Sequence, residues 1–217
     1  MKIAQYRIKK IDKDFDVREE SLAWRNIPSL YIRNYFWADT DYKPKVEVKL
    51  CYSAHCLYIF FKVYERKIRI QYTKFQDPVS RDSCVELFLD PFPNEKLGYI
   101  NIETNAVGAM LIEFGRERHN RHLIQKKDLK GFQIATSVKK PMNGFHGSEF
   151  WTLKYRFPQK FFEKYYGEKI GPGQVAKGNF YKCGDETEFL HYGAWSPIQS
   201  SSPDFHRPEF FGRLIFN

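Results

Sequence analysis

The feature that most narrows the fold is a hydrophobic alternation of period two, recurring in short runs along most of the chain. VEVKL (46–50), LYIFFKVY (57–64), KIRIQYTKF (67–75), SCVELFLD (83–90), GYINIET (98–104), VGAMLIEF (107–114), GFQIATSV (131–138) and FWTLKYRF (150–157) are rich in β-branched and aromatic residues and read as strands. Turn signals separate them: Pro44, DP at 77–78, PFPN at 91–94, NG at 143–144, GPG at 171–173 and SSSP at 200–203. Two stretches read as helical. Residues 16–24 suit a short turn, and Pro158 followed by QKFFEKYY puts Phe161, Phe162 and Tyr165 on one face with proline in the first turn. Ten or more strands with so little helix predict an all-β, antiparallel two-sheet β-sandwich of immunoglobulin-like or jelly-roll type, with one or two short helices. No linker interrupts the pattern between residue 46 and GRLIF (212–216), which predicts a single domain over 1–217.

Composition sets the outer limits. A globule of 217 residues buries about 70% of its unfolded-chain surface, and shares of 42% hydrophobic and 28% charged residues exclude disorder, collagen and coiled coil. The longest apolar run, 57–61, ends at Lys62, far short of the roughly 18 residues of a membrane helix, so the chain reads as soluble without a membrane partner. The first residues offer no apolar signal segment, which predicts a cytoplasmic protein, or a secreted one whose leader has been removed. Cys51, Cys56, Cys84 and Cys183 lack the paired spacing of a zinc ribbon and read as reduced core thiols. Net charge is +9, and Arg116, Arg118, Arg121, Lys126, Lys127 and Lys130 crowd into residues 115–130, which read as an exposed basic loop. Such a loop could meet phosphates, yet the chain lacks a nucleic-acid motif and the repeated interleaving of aromatic and basic residues, which argues against nucleic acid.

Strand alternation sorts the polar residues by face. Val85, Leu87 and Leu89 point inward, turning Glu86 outward; Ile100 and Ile102 point inward, turning Tyr99, Asn101 and Glu103 outward. If the two strands are neighbours, one face carries two carboxylates, an amide and a phenol, groups that match the donors and acceptors of sugar hydroxyls. The alternative is an ordinary solvated face. Near the end of the chain Trp195, Phe205, His206, Phe210 and Phe211 surround three prolines, and an aromatic on such a loop can stack on a pyranose or simply fill the core. Glu86 with Glu103, or Asp82 with Glu86, could form a glycosidase pair, which requires a set separation across a cleft. His191, His206 and Met110 are candidate haem ligands, without a CxxCH motif to fix the group. Phosphate loops and the GxSxG and HExxH motifs are absent.

Taken in order, IDKDFDVREESLAW (11–24), CYSAHCLYIFFKVYE (51–65), DSCVELFLDP (82–91), YINIETNAVGAML (99–111), NFYKC (179–183), GAWSPI (193–198) and FHRPEFFGRLIF (205–216) resemble carbohydrate-binding module family 9. The resemblance spans nearly the whole chain. It implies a β-sandwich related to the DOMON superfamily that binds a mono- or oligosaccharide, often at a reducing end, between two aromatic platforms, without catalysis, in carbohydrate catabolism. Transferred residue by residue, it puts the motif carboxylate on Glu86 and the following amide on Asn101, with Tyr99 beside it and Glu103 as a further hydroxyl reader. The first platform falls in FQDPVSRD (75–82), where Phe75 is the nearest aromatic and Asp77 a polar partner; the second falls on Phe205, with His206 adjacent. Trp195 matches a structural tryptophan. Arg81 would meet a carboxylate or phosphate on an acidic ligand. No cofactor is required, and the resemblance allows a structural calcium ion without assigning its ligands. The rivals are a haem-holding DOMON-like module and a glycoside hydrolase using Glu86 and Glu103; protein partners are unspecified.

Overall fold

A computed structural model describes residues 3–38, 40–139 and 150–217; the NG turn expected at 143–144 lies outside them. The described strands are β1 (Gln5–Lys10), β2 (Leu30–Ile32), β3 (Asn34–Phe36), β4 (Lys45–Tyr52), β5 (Cys56–Tyr64), β6 (Cys84–Asp90), β7 (Tyr99–Asn105), β8 (Met110–Gly115), β9 (His122–Leu123), β10 (Gln133–Thr136), β11 (Trp151–Pro158), β12 (Val175–Gly184), β13 (His191–Ala194) and β14 (Gly212–Phe216). One α-helix, α1 (Gln159–Tyr166), follows Pro158, which stands at the cap rather than inside the first turn. It ends at Gly167, whose φ of 79° suits glycine, and whose N–H closes on the Glu163 carbonyl. Its Phe161 and Phe162 are buried against Phe157, with Tyr166 in place of the expected Tyr165 as the third buried ring. Residues 16–24 contribute to a 3-10 turn over Leu22–Asn26, capped by the Ser21 hydroxyl.

The all-β expectation holds, and the two-sheet sandwich is met in part: the strands run β10-β11-β5-β4-β1-β14-β12-β6-β7-β8-β9 in one curled sheet whose pairing is mixed and not purely antiparallel. The joint is β1. Its first part pairs parallel with β14, from Gln5 opposite Arg213 to Ile8 opposite Phe216. Its last two residues pair parallel with β4, Lys9 opposite Cys51 and Lys10 opposite Tyr52. No tight turn connects β1 to either neighbour, so nothing dictates the antiparallel direction that hairpins impose elsewhere.

The core fills the space between the two halves: Val46, Val48, Leu50, Leu57, Ile59, Phe61, Trp151, Leu153 and Tyr155 on one, Val85, Leu87, Leu89, Ile100, Ile102 and Phe180 on the other. Each set alternates along its strand, so intervening residues face away from this core.

KIRIQYTKF does not form a strand, although Ile68 and Ile70 are buried. Side chains supply the bonds that a ladder would: Arg69 N–H donates to Ser83 Oγ at 3.0 Å, and Gln71 N–H and Tyr72 N–H donate to the Asp82 carboxylate at 3.0 and 2.9 Å. Asp82 is fully buried and also accepts from the Asn105 amide, so it is a structural anchor and not half of an acid–base pair with Glu86. All four cysteines are free and buried. Among the described residues no helix is long and apolar enough to cross a membrane.

Candidate functional site

β6 and β7 are neighbours, with Glu86 directly opposite Glu103 and Phe88 opposite Asn101. The face these residues share, turned away from the core between the sheet halves, is not left to solvent. Phe88, Tyr99 and Tyr181 are covered by Ile198, Phe210 and Phe211 from the chain leading into β14, forming a second apolar layer. That cover stops short over Glu86 and Glu103 and leaves a pocket of about 220 Å³.

Two kinds of side chain line the pocket. One is aromatic: Phe205 lies flat on Tyr181 at 4.1 Å between ring centroids and 8° between planes, and it meets Trp37 at 5.9 Å and Tyr192 at 6.3 Å. Trp37 and Phe205 are in contact with one another, so they form one continuous surface instead of two platforms with a slot between them. Trp37 is held by an Nε1–H bond to the Ser200 carbonyl at 2.7 Å and by a left-handed backbone with φ of 59°. The other kind is acidic: Glu86 and Glu103, with Asp185 beyond the end of β12 and Asp204 next to Phe205. Among the described residues Arg118 is the only lysine or arginine lining the space, and its guanidinium donates to Asp204 at 2.9 Å.

Burial shapes the protonation of these acids. Glu86 is 3% exposed; loss of solvent, then the nearby Glu103 charge, pushes its carboxyl well above the usual range, against a Cys183 Sγ–H bond of 2.8 Å to Oε1. Glu103 is pushed up to about 7 by loss of solvent, against the hydrogen bond that Asn101 Nδ2 donates at 3.0 Å. Asp185 is raised as well, again chiefly by desolvation.

Glu86, Glu103, Phe205 and His206 line the pocket. Asn101 and Tyr99 stand beneath it. The Asn101 amide is committed internally: Nδ2 donates to Glu103 and Glu113, and Oδ1 accepts from Arg121 at 3.0 and 2.8 Å. Tyr99 is 1% exposed, shares a 2.9 Å hydrogen bond with His206 Nδ1 and lies under the Arg121 guanidinium at 4.2 Å. Both residues therefore position Glu103 and His206 instead of offering free surface. The structure does not bring Asp77, Phe75 or Arg81 to the pocket. The Asp77 carboxylate holds the turn N–H groups of Thr73 and Lys74, Phe75 packs on the main core, and Arg81 bonds the Tyr72 hydroxyl and lies 3.6 Å from Glu186.

Trp37, Asp185, Tyr192 and Asp204 are the lining residues that alternation did not indicate, because loops and a short strand far apart in sequence deliver them. The basic segment is exposed as expected at Arg116, Arg118, Lys126, Lys127 and Lys130, but the Arg121 side chain is 3% exposed and reaches under the sheet edge to Asn101 and the Tyr99 carbonyl. Trp195 is structural, with its ring packed edge-on to Phe180 and against Gly212, where a Cβ would sit 2.4 Å from it.

The three haem-ligand candidates do not converge. His206 lines the pocket, Met110 lies in the core, and His191 is buried with Nδ1 bonded to the Phe189 carbonyl. One group of possible metal ligands stands among the described residues, Cys84, Glu86 and Cys183, with donor atoms within 4.8 Å of one another. Its two sulfurs do not fit calcium, which takes oxygen ligands. A larger cavity of about 520 Å³ lies elsewhere, lined by His55, Lys127, Arg156, Lys160 and Lys164, with Phe161 as the only aromatic ring besides His55 among the described residues. It does not combine several aromatic rings with a cluster of carboxyl groups.

Comparison with known proteins agrees with this architecture. A Bacteroides uniformis ATCC 8492 protein put forward as carbohydrate-binding superimposes with a TM-score of 0.87 at 28% identity, over 100% of both chains. A family 9 carbohydrate-binding module from Caldicellulosiruptor kristjanssonii in complex with cellotriose superimposes with a TM-score of 0.68 at 13% identity, covering 98% of this chain and 93% of its own. A second such structure, in complex with glucose, gives 0.62 at 14% identity, covering 99% and 96%. A search of curated protein sequences finds no match. The profile of carbohydrate-binding family 9 matches residues 16–216, nearly the entire chain, and the protein belongs to that family.

Proposed function

We propose that the chain binds a mono- or oligosaccharide without transforming it, with one sugar ring entering the pocket over Glu86 and Glu103. The observation that carries this reading is one pocket lined both by a continuous aromatic surface, Trp37–Phe205–Tyr192, and by the carboxyl groups of Glu86 and Glu103. A pyranose has the same two characters, an apolar C–H face and a rim of hydroxyls. Its C–H face would lie on Phe205 and Trp37, and its hydroxyls would bond Glu86, Glu103 and Asp185. A volume of about 220 Å³ is below the ~300–1,000 Å³ typical of drug-sized ligands and suits one ring with the rest of an oligosaccharide outside. Family membership and the sugars bound by the two Caldicellulosiruptor modules point the same way.

Glu86 and Glu103 stand side by side on adjacent strands. Hydrolysis would need two carboxyls flanking a glycosidic bond, so this arrangement favours holding a sugar over cleaving it. Calorimetric titration with neutral mono- and oligosaccharides, each beside its reduced alditol, tests the proposal. Saturable heat with at least one sugar is expected, and binding lost on reduction would assign the pocket to a reducing end. Absence of heat across the panel, or nitrophenyl glycoside turnover that vanishes in Glu86→Gln, would overturn it.

A further inference from the structure

The protein carries a net charge of +9, yet its pocket is lined by four carboxyl groups and one guanidinium. That guanidinium, Arg118, is already bonded to Asp204. Glu86 and Glu103 stand directly opposite one another on adjacent strands, a pairing that cannot carry two negative charges without a proton or a cation to neutralise one of them. Neither neighbouring cation bonds the pair, and each favours its ionised form only from a distance. Lys182, the next residue but one along β12 from Phe180, points to the other face of the sheet, where its Nζ lies 3.2 Å from Glu65 Oε1. Arg121 bonds Asn101, the Tyr99 carbonyl and the Glu117 carbonyl and lies 3.6 Å from Glu113. Glu86 is nine-tenths buried and lines the pocket; one oxygen accepts from Cys183, and among the described residues Oε2 accepts no hydrogen bond. A second and independent feature favours positive charge. The same pocket is lined by Trp37, Tyr192 and Phe205, and aromatic rings attract cations when solvent is excluded.

Building on the sugar-binding reading, we propose that the pocket prefers a sugar carrying a free ammonium group, an unacetylated amino sugar or its oligomers, over the neutral sugar of the same ring. The ring lies on the aromatic surface, and the ammonium group donates to Glu86 Oε2 and Glu103. The charges around this position are Glu86 from β6, Glu103 from β7, Asp185 after β12, and Asp204 and Arg118 at the rim, with Glu113 on β8, Arg121 before β9 and Lys182 on β12 acting from behind it. His206 is neutral at working pH, its pKa lowered to about 3 by burial and then by Arg121 and Arg118. An arriving cation draws the raised carboxyls into their ionised form, so protons leave on binding.

The test is titration calorimetry of the full chain with glucose, glucosamine and N-acetylglucosamine, and with short β-1,4 oligomers of each. Each is run at pH 6 in two buffers of different ionisation heat and at two salt concentrations. The expected result is at least tenfold tighter binding of the ammonium sugar than of its hydroxyl and acetylated counterparts. The advantage should shrink with salt, release protons, and be lost in Glu86→Gln/Glu103→Gln. Should that variant fail to melt cooperatively, the salt and buffer dependence of the wild-type protein decides the question. Equal or weaker binding of the ammonium sugar, while neutral sugars bind, overturns this inference and leaves sugar binding standing. Absence of binding by every sugar overturns both.

Discussion

Glu103 shows how much of the site's behaviour resides in single side chains. Its carboxyl is raised from 4.5 to about 7, so the folded protein keeps this proton over a range where the unfolded chain has lost it. Stability from this group therefore falls as pH rises from about 4.5 to about 7 and is level above that. Glu103→Gln keeps the oxygen that accepts from Asn101 and cannot ionise. Its melting temperature at pH 8 should exceed that of the wild type by roughly 2–4 °C, with the difference vanishing near pH 4.5. An unchanged or lower melting temperature at pH 8 would show that the carboxylate is accommodated. Phe205 carries the complementary, aromatic half. Phe205→Ala should weaken sugar binding about tenfold or more at a cost of about 0.5–2 kcal/mol in stability, because the ring stacks on Tyr181 but is only partly buried. Calorimetry and thermal melts measure the two effects separately. Strand alternation alone put Glu86, Asn101, Tyr99 and Glu103 on one face, and the register agrees. It could not show that Asn101 and Tyr99 are committed beneath the pocket, because that follows from Arg121 and His206 arriving from loops.

At the scale of elements, period-two patterning located most strands between β4 and β11, because each buries one face and must alternate. It missed β1, β12 and β13 as well as the two- and three-residue β2, β3 and β9: β12 is buried along nearly all its length and shows no alternation, and the short ones cannot show a period. It read 67–75 as a strand because Ile68 and Ile70 alternate correctly. What makes that segment irregular is one buried carboxylate. Asp82 takes the N–H groups of Gln71 and Tyr72 together with Arg69 and Asn105, tying the segment to the start of β6 and the end of β7. Asp82→Asn keeps the shape, removes the charge and turns one acceptor oxygen into a donor facing donors. A destabilisation of about 3 kcal/mol is expected, read from the denaturation midpoint. A loss below about 1 kcal/mol would mean that the segment is held mainly by its buried isoleucines.

Across the whole molecule, the mixed topology follows from β1, which contributes its first half to one part of the sheet and its last residues to the other. Nothing in the sequence of β1 encodes a parallel direction; it results from the absence of a hairpin on either side. The halves are also tied through the core. Lys182 on β12 and Glu65 just past β5 are both buried, and Glu65 additionally accepts from Ser83 and from the Trp151 indole. Lys182→Met leaves Glu65 charged or protonated without its cation and should cost about 3–5 kcal/mol, whereas Lys182→Met with Glu65→Gln should recover part of that loss. Equal stability of single and double variants in denaturant titration would show that the pair is not coupled.

The wrapping of the sheet leaves the β12–β6–β7 outer face to be covered by the chain that precedes β14, and the gap in that cover is the pocket. The most direct test is a crystal structure of the protein grown with the sugar panel. A single ring resting on Phe205 and Trp37, with hydroxyl or ammonium groups on Glu86 and Glu103, is expected. A sugar seated in the basic cavity near Lys127 and Arg156, with the Glu86 pocket unoccupied, would contradict it.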